Sequence, residues 1–179
     1  MFSPSLALLF KKCDQLQIPP TQPSIIISIK AQKLWVFNNT NLLLTYPIST
    51  SVAPSSCLEH SFGTPWGLHQ VFEKIGHNQP VGMIFESRKP TGNIATPNEI
   101  AKNYITTRIL RLIGLEYGTN SGETCDSLRR YIYIHGTNQE SKIGTPQSHG
   151  CILLSNRNIL HLFQIIPPQT LVWIIPPEE

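Results

Sequence analysis

The apolar residues of this chain come in short bursts, each closed within a few positions by proline, glycine or asparagine. Fifteen prolines and eleven glycines are spread over 179 residues. That density disfavours long helices and favours short strands joined by turns. The bursts are rich in β-branched and aromatic side chains, which suit a pleated, half-buried surface. Strands are predicted at residues 25–30, 33–38 and 42–48, around 67–74, and at 106–113, 131–134 and 171–175, with Asn38-Asn39-Thr40-Asn41 as a turn. The alternation over 106–113 predicts one apolar and one polar face. Ser155 is expected to cap a helix over 156–163 that turns Ile159, Leu162 and Phe163 inward. Leu6, Leu9, Phe10 and Cys13 fall on roughly one face of a short N-terminal helix, and a proline-rich connector follows over 14–24. Residues 76–105 are interrupted by Gly76, Pro80, Gly82, Pro90, Gly92 and Pro97, and on their own read as an ordinary surface loop. The sum is a mainly β, sandwich-like domain with one or two short helices. Residues 1–23 form the helix and connector, and residues 24–179 the main domain.

Length is consistent with one domain with a sizeable core. Charged residues make up 14% of the chain and the net charge is +3, with no Lys/Arg cluster of the kind that binds nucleic acid. No stretch approaches the roughly twenty apolar residues of a membrane span. The apolar segment Ser5–Phe10 has its lysines after it, the reverse of a secretory signal, so no clear signal peptide is read. Cys57, His60, His69 and His77 cluster in sequence but fit no closed zinc spacing. No metal or cofactor is expected. Of the four cysteines, Cys57 and Cys125 are one candidate pair, and buried reduced thiols are the simpler reading.

The chemistry concentrates near the C-terminus. Ser148-His149-Gly150-Cys151 lies downstream of His135-Gly136, and the polar segment 137–147, carrying Gly144 and Pro146, reads as the loop between them. A free thiol has a pKa of about 8.5 and needs a neighbouring base to become a useful nucleophile at neutral pH. His135 at the end of an apolar run and His149 beside the thiol are the two candidates. The N–H groups of Gly150 and Cys151 are candidates to face a developing oxyanion.

These residues resemble the signature of the L,D-transpeptidases, the YkuD-type cysteine transpeptidases of bacterial cell-wall metabolism. That signature is a His-Gly, a spacer of this length, Ser/Thr-His-Gly-Cys and a downstream Asn, here Asn156. The runs 25–29, 33–37 and 42–47 resemble the family's opening strands. Tyr46-Pro47-Ile48-Ser49-Thr50 and Gly63-Thr64-Pro65-Trp66-Gly67 resemble its internal landmarks. The likeness covers roughly residues 24–175, and it implies that the segment 76–105 is a lid over the site, the alternative being the surface loop.

The resemblance implies that Cys151 is the nucleophile and His135 the proton acceptor and donor, oriented by a carbonyl near Gly136. It further implies that Ser148, His149, Gly150 and Gly136 shape the acyl and oxyanion pocket. The implied partners are peptidoglycan stem peptides, a tetrapeptide donor and an amine acceptor. The thiolate would attack the bond before the terminal D-Ala, and the acceptor amine would resolve the thioester. An L,D-carboxypeptidase, with water as acceptor, and a noncatalytic wall-binding module are the alternatives. The implied location is periplasmic or cell-wall associated. Two positions depart from the pattern: Leu153 stands where an arginine is usual, and Ser51 follows Thr50 where glycine is usual. Arg108 and Arg157 are candidates to replace that arginine, and Asn156 is a candidate substrate-binding residue.

Overall fold

A computed structural model describes residues 4–97 and 102–177. Among the described residues, ten strands and two α-helices follow in the order α1 (Pro4–Leu16), β1 (Ser24–Ser28), β2 (Lys33–Asn38), β3 (Asn41–Pro47), β4 (Gly67–Ile75), β5 (Met83–Glu86), β6 (Lys89–Ile94), β7 (Ile105–Gly114), β8 (Tyr133–Gly136), β9 (Ile152–Leu154), α2 (Asn156–Ile165) and β10 (Leu171–Ile174). The domain is mostly β. Its strands form one open mixed sheet in the order β3-β2-β1-β10-β4-β7-β5-β6, and β8, paired to β7, carries β9.

The two centre strands show why their sequences are apolar without alternation. β1 and β10 run parallel, with Ile25 opposite Val172 and Ile27 opposite Ile174. Ile25, Ile27, Val172 and Ile174 join Leu110, Ile134 and Ile152 in the main core, which α2 covers with Ile159, Leu162 and Phe163. Ile26 and Trp173 point the other way and meet Leu6, Leu9 and Cys13 of α1, together with Phe37 and Leu68. A strand covered on both faces reads as a continuous apolar run. Lys12 of α1 forms a 2.8 Å ion pair with Glu116, whose Oε1 accepts the Leu68 N–H at 2.6 Å. The N-terminal helix is therefore part of the folded body. Among the described residues, no helix is long and apolar enough to cross a membrane.

α2 starts where its cap predicts: Ser155 Oγ accepts the Asn158 N–H at 3.3 Å. Asn39, in the turn between β2 and β3, takes a φ of 51°, a conformation asparagine tolerates better than most residues.

Three expectations are corrected. The strand expected at Tyr131 begins at Tyr133. The Tyr131 N–H bonds Leu128 O and the Ile132 N–H bonds Ser127 O, closing a turn that outweighs the β-propensity of the run. β7 has no polar face. It is buried along nearly its whole length, Arg108 and both threonines included, because both faces are covered: Leu110 and Leu112 enter the main core, and Ile109 packs with Met83, Phe85 and Tyr133. Finally, the segment 76–105 is not a bare loop. It contains the β5–β6 hairpin, with a two-residue turn at Ser87-Arg88; residues 98–101 of it lie outside the described residues.

Candidate active site

β8 and β9 lie side by side and parallel, with Ile134 opposite Ile152 and His135 opposite Leu153. Extending that register by one residue sets Cys151 beside Tyr133. Side chains alternate along a strand, so Ile134, Ile152 and Leu154 enter the main core. Tyr133, His135 and Cys151 share the opposite face. His135 and Cys151 are diagonal neighbours there across the two strands. Cys151 is partly buried against Met83, Phe85, Ile109 and Tyr133.

The imidazole is held in one tautomer. His135 Nδ1 lies 2.8 Å from Gly136 O. A carbonyl only accepts, so Nδ1 carries the proton and Nε2 is left as the acceptor. Burial pushes the His135 pKa down to about 4, against a smaller upward pull from the Gly136 carbonyl. Burial also pushes the Cys151 thiol up to about 11, opposed by a backbone hydrogen bond from Tyr133 and by the positive charge of Arg130. The resting pair is thus neutral imidazole and neutral thiol. Cys151 Sγ also contacts Tyr131 O at 3.4 Å.

The turn before Cys151 is built from Ser148 and Gly150. Ser148 Oγ donates to Cys151 O at 2.6 Å and accepts the Gly150 N–H at 3.2 Å. Gly150 has a φ of 127°, and an added Cβ would come within 3.2 Å of Ile132, so glycine is needed for conformation and for space. The landmark loops brace this turn. The Gln147 and Ser148 N–H groups bond Thr50 O, and the Ser51 N–H donates to Thr64 Oγ1 at 3.0 Å. Ser51, the departure from glycine, uses its hydroxyl to bond Phe62 O at 2.6 Å. His149 stands edge-on to Phe62, ring centroids 6.0 Å apart. Both line a cavity of about 430 Å³ whose walls include Arg130, Tyr131 and Ile132.

The remaining candidates fall elsewhere. Asn156 ties elements together: its Oδ1 accepts from Thr106 Oγ1 at 2.6 Å and from Thr107 Oγ1, and its Nδ2 donates to Thr137 O at 3.1 Å. Thr107 holds a φ of 65°, uncommon for a β-branched residue, at the bulge where the β7–β8 register shifts. Gly136 fits beneath this clamp; an added Cβ would lie 2.7 Å from Thr106 O. Arg108 donates to Gln79 O at 2.8 Å and to Thr107 O and packs over Phe163 of α2, so it serves the α2 face. Arg157 is exposed on α2. Leu153 is buried, and its N–H and C=O both bond Ser49. His60 lines the cavity. His69 is buried between Gly67 O and Ser127 Oγ, and His77 stacks edge-on against Phe163. All four cysteines are free thiols.

Sequence reasoning missed two arginines. Arg130 donates to Ser56 O at 2.9 Å and Gly63 O at 2.6 Å, holding the loop that faces Gly150. Arg88, at the β5–β6 turn, donates to Tyr133 Oη at 3.2 Å and covers the Tyr131 ring. Only the pairing of distant segments brings either one to the cysteine, so local sequence carried no signal for them.

Fold and site together define a mainly β domain with a cysteine and a tautomer-fixed histidine on one strand face, beside a cavity. The family of L,D-transpeptidase catalytic domains (YkuD) matches residues 22–174, and the chain belongs to it. It is 46% identical over 48 residues to a Bacillus licheniformis protein assigned as L,D-transpeptidase YkuD. It is 51% identical over 45 residues to a Bacillus subtilis protein assigned as L,D-transpeptidase YqjB. These stretches cover 27% and 25% of this chain and 29% and 26% of the two relatives. The fold is similar to the L,D-transpeptidase structure from Xylanimonas cellulosilytica, with a TM-score of 0.54 at 17% identity over 88% of this chain and 62% of that one.

Proposed function

We propose that this domain is a cysteine transpeptidase acting on peptidoglycan stem peptides. The observation that carries the reading is the parallel β8–β9 register, which sets His135 and Cys151 on one face while the Gly136 carbonyl leaves Nε2 free to accept a proton.

Neither an imidazole at about 4 nor a thiol at about 11 favours a resting ion pair. The proton therefore leaves Sγ for Nε2 as the S–C bond forms at the carbonyl before the terminal D-Ala. The oxyanion forms beside the Cys151 N–H. The C–N bond then breaks, and the imidazolium returns the proton to the departing D-Ala amine. In the second half an acceptor amine attacks the thioester, loses a proton to Nε2, and the S–C bond breaks to restore the thiol. Dividing one amide exchange into two acyl transfers lowers each barrier. The site of such a reaction is outside the inner membrane, at the cell wall.

The test is intact mass after mixing with a tetrapeptide stem. An adduct equal to the stem minus D-Ala, absent in Cys151→Ala, is expected. Adding an acceptor amine should then convert the adduct into a cross-linked product. Hydrolysis with no capture would make the domain a carboxypeptidase. Absence of both adduct and released D-Ala would overturn the acyl-enzyme.

A further inference from the structure

The β5–β6 hairpin ends in a cation held against the groups that surround the nucleophile. Its two turn residues, Ser87 and Arg88, have φ of 48° and 68°. A two-residue hairpin loop with both centres in the left-handed region normally uses Asn-Gly, because side chains are disfavoured there. Tyr131, whose ring Arg88 covers at 5.1 Å, is itself at φ 57°. Two bulky residues in strained conformations meet beside the site, and such strain persists where the surroundings enforce it. Tyr131 supplies the carbonyl in contact with Cys151 Sγ. Tyr133, which accepts from Arg88, is the register neighbour of Cys151 and packs with it. Met83 and Phe85 of the same hairpin complete that cluster.

The other arginines near this face are occupied. Arg130 bonds two loop carbonyls, and Arg129 pairs with Glu59. Arg88 gives one nitrogen to a neutral phenol, and no carboxylate forms an ion pair with it among the described residues. Its remaining N–H groups are open to a planar anion, and a guanidinium fork matches a carboxylate. The donor that the proposed function requires carries such a group. The terminal carboxylate lies three covalent bonds beyond the carbonyl carbon that Sγ attacks, so whatever binds it must stand beside the nucleophile.

We infer that Arg88, backed by Tyr133 and Tyr131, forms the subsite for the terminal carboxylate of the acyl donor. The inference rests on the transpeptidase reading and adds to it the chemical feature by which the donor end is selected.

The experiment compares two donors, a tetrapeptide stem ending in D-Ala and the same stem ending in D-alaninamide. The second-order rate of Cys151 acylation is read by intact mass in wild type, Arg88→Lys, Arg88→Gln and Arg88→Glu. Wild type is expected to prefer the free carboxylate by about 10- to 100-fold, the worth of one hydrogen bond to a charged group. Arg88→Gln should bring the ratio near one, Arg88→Glu below one, and Arg88→Lys, which keeps the charge, should retain part of it. A reading of ratios within each variant separates recognition from general loss of folded protein. If Arg88→Gln keeps the wild-type ratio while both donors acylate, the subsite is overturned and the acyl-enzyme stands. If neither donor acylates wild type, both fall.

Discussion

The Gly136 carbonyl decides which nitrogen of His135 can take a proton, and burial decides when. With the imidazole lowered to about 4, the proposed base is already neutral at pH 7. The rate of acylation should be level through neutrality and fall only as pH drops toward 4. His135→Ala is expected to lower acylation by about 10²–10⁴-fold, the usual contribution of a general base. The thiol moves the other way. Held up to about 11, Cys151 should react with iodoacetamide slowly at pH 7 and faster as pH rises toward 11. Mass-resolved alkylation against pH checks this; an inflection between 8 and 9 would mean that the thiol is not desolvated. Much of this site was legible from the chain. His135, Ser148, Gly150 and Cys151 are close enough in sequence that one loop unites them. Asn156 was legible as a position but not as a role. Its clamp on Thr106 and Thr107 depends on the bulge in β7, which no local pattern announces.

At the scale of elements, that clamp joins α2 to the strand pair carrying the histidine. Asn156→Ala removes one donor and one doubly used acceptor and leaves the Thr137 carbonyl and two threonine hydroxyls to find new partners. A loss of about 1–3 kcal/mol is expected, the cost of leaving buried polar groups unsatisfied, measured by urea unfolding. The N-terminal helix gives a second test. Leu9 is fully buried beneath it, so Leu9→Ala should cost about 2–5 kcal/mol. A change under about 0.5 kcal/mol would show that α1 is not docked in solution. Most strands and α2 were readable because their apolar residues repeat at the right period and Ser155 signals the helix start. The burial of both faces of β7 and the start of β8 were not. β7 is buried by partners distant in sequence, and the start of β8 is set by hydrogen bonds within the preceding turn.

For the whole molecule, two histidines link stability to acid. His69 and His135 are both lowered from 6.5 to about 4, chiefly by burial. A depressed pKa means that the unfolded chain binds protons the native state refuses. The stabilisation is full above pH 6.5 and is lost progressively as pH falls through 4. Calorimetry should show Tm falling across that window, and His69→Gln should flatten the decline.

The parallel pairing of β1 with β10 has a consequence for how the protein comes into being. Ile25–Ile27 must wait for Val172–Ile174, made about 145 residues later, because β10 fills the place between β1 and β4. A ribosome that has released the chain only as far as residue 170 leaves the slot between β1 and β4 vacant. Vectorial folding from the N-terminus therefore stalls by design of the topology. Stalled nascent chains should stay protease-sensitive until β10 clears the exit tunnel, which keeps the stretch from β1 onward threadable until that strand emerges.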